Sequence, residues 1–183
     1  MKCFLNITKT ILNSRTPVHF LVICLFLLYV KGQSYRNPVP TVDSIIQSDS
    51  QILLVKRRKE PFKDYLVLPG GFVNEGERVE DAAKREVKEE TSLDIELIDI
   101  LGVYSEPKRD PRGHIMSTVF IAKISQNNDK MHAKAQDDAA AIEWIDIETI
   151  DSTRFGFDHK KIIADYIKWK QSGGTFWSSK IEF

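Results

Sequence analysis

Apolar positions along this chain recur at two different spacings, and the change from one to the other marks strands and helices. Val42, Ile45 and Ile46 read as one strand and Ile52 to Val55 as the next, with Gln47 to Ser50 turning between them. Tyr65 to Leu68 is a further apolar run that leads into Pro69, Gly70 and Gly71, read as a glycine turn. Val79, Ala83 and Val87 then recur every four residues, which predicts a helix with one inward face. Ile95 to Tyr104 and Ile115 to Ile124 are rich in branched residues and read as strands joined by a charged loop. Ile142, Trp144, Ile145 and Ile147 suggest another strand after a polar loop from Gln126 to Gln136. Asp158 reads as the N-cap of a second helix, His159 to about Lys170, with Ile162, Ile163, Tyr166, Ile167 and Trp169 on a broad apolar face. Strands alternating with two helices give an α/β layered domain in which helices cover a mixed sheet. Phe176 and Trp177, beyond Gly173 and Gly174, are left undecided.

Residues 1–34 have a different character. Lys2, Lys9 and Arg15 precede an apolar run from Val18 to Val30, after which Lys31 to Ser34 are polar. The run is short for a membrane span and suits a signal-peptide core. Three readings stay open: a cleaved signal, a membrane anchor through residues 18–30, or an extension dispensable for the fold. The rest of the chain, residues 35–183, reads as one domain and is expected in the cytoplasm, with export or anchoring as the alternative. Both cysteines, Cys3 and Cys24, fall in the first segment, so the domain has neither a disulfide framework nor a cysteine metal site. Lys and Arg together number 26 and Asp and Glu 26, leaving no net charge. That balance gives no polyanion-binding character, so nucleic acid is not expected as a partner. The four histidines are scattered without zinc-site spacing and read as surface or capping residues.

The chemistry concentrates on the first helix. Glu86 and Glu90 lie four residues apart and Glu86 and Glu89 three apart, so the three carboxylates crowd together beside the buried stripe. Taken alone they read as a solvated face. Their mutual repulsion, a few tenths of a kcal/mol per pair, becomes attraction when a hard oxygen-seeking cation such as Mg²⁺ binds.

The surrounding spacing resembles the signature of the Nudix hydrolases, G-x5-E-x7-R-E-x2-E-E-x-G. Gly71, Glu77, Arg85, Glu86, Glu89 and Glu90 supply six of its seven marks, and Ser92 stands where the last glycine would be. Serine in the left-handed conformation that ends a helix costs about 1 kcal/mol, so a strained helix end is expected. The LPGGF stretch is also similar to Nudix proteins, although many relatives carry tryptophan where Leu66 stands. The resemblance covers roughly Tyr35 to Lys170 and implies an α/β/α sandwich. It further implies Glu86 and Glu90 as metal ligands, Glu89 as ligand or water bridge, and the Gly70 carbonyl completing the shell. Arg85 is assigned to structure, pairing with Glu77 or Glu89 to fix the carboxylate helix. The expected cofactor is Mg²⁺, with Mn²⁺ as a substitute.

Between the two long strands, Lys108, Arg109 and Arg112 are spaced to meet an anionic substrate, while Asp110-Pro111 and Gly113 shape the turn. The wording DPRGH resembles ADP-ribose pyrophosphatase-like members of the family. That implies hydrolysis of a nucleoside diphosphate linked to another moiety, ADP-ribose to AMP and ribose 5-phosphate. The alternatives are a nucleoside triphosphate pyrophosphatase that removes oxidised nucleotides and a nucleotide-sensing module without turnover. The basic run Lys56 to Lys59 reads as a solvated strand end. Asp137 and Asp138 are candidates for the general base, which family members also take from the box helix, and Asp138 is further assigned to substrate binding. A homodimer is a family expectation.

Overall fold

The computed structural model describes residues 37–126 and 130–180. The expectations for residues 1–34, and the middle of the 126–136 loop, lie outside them. Eight strands form, β1 (Val39–Ser48), β2 (Gln51–Arg57), β3 (Leu66–Val67), β4 (Gly70–Phe72), β5 (Ile95–Tyr104), β6 (Ile115–Ile124), β7 (Ala139–Asp146) and β8 (Phe176–Trp177). Two α-helices, α1 (Val79–Thr91) and α2 (His159–Ser172), and two short 3-10 turns complete the described elements.

The strands run β3-β2-β1-β6-β5-β8, with β4 also on β1 and β7 on β2. β1 is parallel to β6 along eight pairs, from Val39 opposite Ile115 to Ile46 opposite Ala122, while β5 is antiparallel to β6. The sheet is therefore mixed, as its sequence pattern implied.

Alternation along the central strands decides which helix covers which face, because neighbouring side chains point to opposite sides. Val42, Ile46, Leu53 and Val55 pack with Ala82, Ala83 and Val87 of α1. Ile45, Ile52 and Leu54 pack with Ile162, Ile163 and Tyr166 of α2. One helix on each face makes the α/β/α sandwich. Phe176 is buried and β8 adds to β5, so the C-terminal stretch folds back on the sheet.

One local reading needs correction. Gly70 and Gly71 do not form a turn; they belong to β4, pairing with Asp43 and Val42 of β1, and the chain turns later, at the positive-φ Gly76. A Cβ at Gly70 would stand 2.1 Å from the Val42 carbonyl oxygen, so this glycine serves close backbone approach. Asp158 is the N-cap residue of α2, as its sequence position suggested, although its side chain makes no cap hydrogen bond.

Candidate active site

β4 and α1 converge so that the end of the glycine strand faces the glutamates of the helix. Gly70 N–H donates to Glu90 Oε2 at 3.0 Å, and the Glu86 carboxyl lies against the Cα side of Gly71. Arg85 ties the assembly together. Its Nε and Nη2 donate to the two Glu77 oxygens at 2.8 and 2.9 Å. Nη1 reaches Glu86 at 2.6 Å and Glu89 at 3.1 Å, and Nη2 also donates to the Phe72 carbonyl at 3.0 Å. One planar fork thus fixes the loop before the helix, the strand beside it and two carboxylates of the helix. The Arg85 fork, with an N–H from Asn74, holds the Glu77 pKa down at about 2. At the other end Ser92 adopts φ 64°, ψ 3°, and its N–H closes on the Lys88 carbonyl.

The glutamates facing the cleft are electrostatically unlike Glu77. Burial raises the Glu90 pKa to about 8, against the Gly70 hydrogen bond, and the nearby charges of Glu86 and Asp43 push the same way. Among the described residues Glu90 has no ion-pair partner within 4 Å. Glu86 is also shifted upward by burial, opposed by its contact with Arg85. Glu89 is the more open of the set. As they stand, no three His, Cys, Asp or Glu side chains among the described residues are drawn close enough to hold an ion. The donor chemistry nevertheless fits a hard divalent cation: oxygen ligands only, mutually repelling, one of them kept short of positive charge.

Across a cleft of about 310 Å³ stand three arginines, and their partners distinguish them. Arg109 is buried, its side chain 4% exposed, and it donates to both Asp158 oxygens at 2.9 and 2.7 Å. It also lies 3.7 Å from Asp43. Arg109 lines the cleft, but its fork is committed to the N-terminus of α2, where both Asp158 oxygens accept from it and neither makes a side-chain cap hydrogen bond. Arg112 donates through Nε and Nη2 to Asp110, whose side chain is 2% exposed, and its guanidinium lies over Phe72 at 5.2 Å and Phe157 at 5.5 Å. Arg57 gives its Nε to the Pro61 carbonyl at 2.7 Å and has no carboxylate partner within 4 Å among the described residues. Burial, and then the positive charge of Arg112, lower its pKa. Reading the basic run as a solvated strand end therefore missed Arg57, which lines the cleft half-buried.

Sequence reasoning also missed Asp43 and His159. His159 is buried, and its Nδ1 accepts the Leu68 N–H at 2.9 Å, with Nε2 3.6 Å from Asp43. Burial lowers its pKa, so it is a neutral ring fastening the strand before Gly70 to α2, not a surface residue. Asp43 in turn accepts the Ser117 hydroxyl at 2.5 Å. Asp137 and Asp138 are exposed at the cleft rim; Asp138 pairs with Lys59 at 2.7 Å, and Asp137 holds φ 48°. Lys108 is exposed and does not line the cleft.

Comparison with known proteins gives a consistent picture. The NUDIX domain family model matches residues 37–166. The chain is 48% identical over 140 residues to the ADP-ribose pyrophosphatase of Methanocaldococcus jannaschii, covering 76% of this chain and 79% of that protein. Among solved structures, the NUDIX domain of Shewanella oneidensis NrtR complexed with ADP ribose superposes with a TM-score of 0.65 over 78% of this chain and 96% of that one, at 23% identity, a likeness of fold. A bifunctional NMN adenylyltransferase/ADP ribose pyrophosphatase from Francisella tularensis, complexed with AMP and a Mn ion, gives a TM-score of 0.63 at 26% identity, over 94% of this chain and 53% of that chain.

Proposed function

This chain belongs to the Nudix hydrolase family, and on that premise we propose that it hydrolyses ADP-ribose to AMP and ribose 5-phosphate with Mg²⁺ as its working divalent cation. The observation that carries this reading is the pairing, within one cleft, of three glutamates with Arg57, which among the described residues has no carboxylate within 4 Å. A half-buried guanidinium with no direct carboxylate contact can take an anion, and a diphosphate fits between it and a cation on the opposite wall.

Glu86 and Glu90, with Glu89 and the Gly70 carbonyl, would hold the cation. When bound, it neutralises diphosphate oxygens and lowers the pKa of an attacking water. Arg85 keeps Glu86 and Glu89 oriented and Glu77 fixes Arg85, so both act by positioning. Arg57 meets the diphosphate. Attack on one phosphorus breaks the P–O–P bridge; water supplies a hydroxyl to that phosphorus and the other phosphate leaves with the bridging oxygen. Asp137 and Asp138, at the rim, and the box glutamates remain the candidates for taking the water's proton. Of the two arginines in the loop between β5 and β6, Arg112 is the one exposed to the cleft, since Arg109 is buried and held by Asp158.

No helix among the described residues is long and apolar enough to cross a membrane. We also propose a cytoplasmic location for the domain, which microscopy of the tagged full chain checks. A homodimer, the family expectation, has candidate apolar surface in the exposed Ile98, Ile100, Val103 and Trp177 of β5 and β8, and sedimentation decides it.

The deciding experiment is product analysis of the full chain with Mg²⁺, offered ADP-ribose, NADH, diadenosine polyphosphates, 8-oxo-dGTP and ordinary nucleoside triphosphates. Preferential release of AMP from ADP-ribose, lost by orders of magnitude in Glu90→Gln, is expected. Preference for a triphosphate would overturn the substrate, and binding without turnover would overturn the activity.

A further inference from the structure

Arg112 is unusual among the cleft cations in being already neutralised and yet still half-exposed. Two of its donor nitrogens are spent on Asp110, a buried carboxylate, which fixes the guanidinium plane. A compensated arginine adds little attraction for phosphate, but it remains a flat, donor-edged surface that stacks on rings. Its guanidinium lies over two of them, Phe72 and Phe157.

Phe72 is the second unexplained feature. It is 44% exposed, a large apolar side chain left at the mouth of a charged cleft. Its backbone is held on both sides, by pairing with Thr41 of β1 and by the Arg85 bond to its carbonyl. The ring is thus presented rigidly, one residue from the glycine that abuts Glu86. A ring so fixed and so exposed is poor packing and a good stacking platform. Phe157, half-buried with φ 53°, is the second ring against the Arg112 guanidinium and helps hold it in place.

We infer that Phe72 and the Asp110-anchored guanidinium of Arg112 form the nucleobase subsite, stacking the purine of the substrate at the cleft mouth while its diphosphate lies inward between Arg57 and the glutamates. This rests on the reading of the cleft as a nucleotide-diphosphate site, and it changes the part given to Arg112 from meeting charge to holding the base. Base–aromatic stacking is sensitive to the presence of a ring and tolerant of its type, because every base offers a π face.

The test uses the two products of the proposed reaction as separate probes. Binding of AMP and of ribose 5-phosphate to the full chain is measured by titration with Mg²⁺ present. In Phe72→Ala the Kd for AMP should rise at least tenfold while that for ribose 5-phosphate stays within twofold, and Phe72→Trp should bring AMP binding back to within threefold of the parent. Arg112→Gln should weaken AMP severalfold; because that change leaves Asp110 buried without its cation, the phenylalanine variants carry the decision. Unchanged AMP binding in Phe72→Ala, or equal loss of both products, overturns the subsite. Failure of the parent chain to turn over ADP-ribose, with AMP binding that still depends on Phe72, would sink the substrate assignment and leave the subsite standing.

Discussion

The carboxyl of Glu86 occupies the place where a side chain on Gly71 would begin. An ideal Cβ there would stand 2.5 Å from the carboxyl carbon and from Oε2. The glycine is needed for what it leaves open, since at this position its backbone is ordinary extended strand. Gly71→Ala should therefore push the Glu86 side chain out of the cleft, which it can do at modest cost because a flexible chain end moves and not a backbone. Turnover should fall about a hundredfold or more while the melting temperature shifts by only a few degrees, since small misplacements of reacting or positioning groups are costly to rate. Steady-state kinetics beside a thermal melt checks both halves. Parent-like turnover in a folded variant would remove Glu86 from the working set.

Arg57 and Arg109 face the same cleft and should answer differently to loss of charge. Arg57→Gln removes a cation that has no carboxylate within 4 Å among the described residues and should raise the KM for ADP-ribose at least tenfold, with Arg57→Lys intermediate. Arg109→Met instead strands Asp158 and Asp43 beside one another, and breaking a buried ion pair costs about 3–5 kcal/mol. Its first effect should be a large drop in melting temperature. If Arg109→Met melts like the parent and only KM rises, the arginine belongs to substrate binding after all.

How far the sequence could show this contrast follows from where the partners lie. The helix carrying Glu86, Glu89 and Glu90 was legible because its spacing is local, and the strands around Ile45 and Ile52 were legible as apolar runs, although which face each side chain takes came only with the fold. Nothing local tells Arg57 from Arg109. Asp158, which claims Arg109, lies 49 residues away, and the Leu68 N–H that binds His159 lies 91 away, so both depend on α2 docking against the strand before Gly70. The same limit hid β4. Two consecutive glycines after proline ordinarily signal a turn, and only the 2.1 Å approach to Val42 reveals a strand laid against β1.

Glu90 makes the metal-free protein sensitive to alkali. Its folded pKa is raised to about 8, above the ordinary carboxylate value of 4.5. Below 4.5 the group is protonated in both states and costs nothing. As pH rises from there toward 8 the unfolded chain gives up the proton more readily than the fold does, and stability falls by up to about 1.4 kcal/mol per unit. Glu90→Gln keeps an acceptor for the Gly70 N–H and carries no charge. In chelator-treated protein its melting temperature should match the parent near pH 4.5 and exceed it by about 5 °C or more at pH 8.5. Adding divalent cation should close the gap by favouring the ionised parent. Parallel melting curves across that range would remove the shift.

Ser92 holds the left-handed conformation at the end of α1 with φ 64°, a backbone region where serine is strained and glycine is not. Two contacts help keep it there: Lys88 Nζ donates to the Ser92 carbonyl at 3.1 Å, and the Ser92 hydroxyl reaches the Lys134 carbonyl at 3.4 Å. The first uses backbone and survives replacement by glycine; the second is long and exposed, worth only a few tenths of a kcal/mol. The greater freedom of glycine in the unfolded chain offsets part of the gain. Relief of strain still wins, so Ser92→Gly should stabilise the fold by about 0.5–1 kcal/mol. The glutamates three and two residues earlier keep their positions through Arg85 and Gly70, so turnover should stay with the parent. Denaturant melts beside a rate assay read the outcome, and a destabilised Ser92→Gly would mean that the hydroxyl contact to Lys134 outweighs the backbone strain.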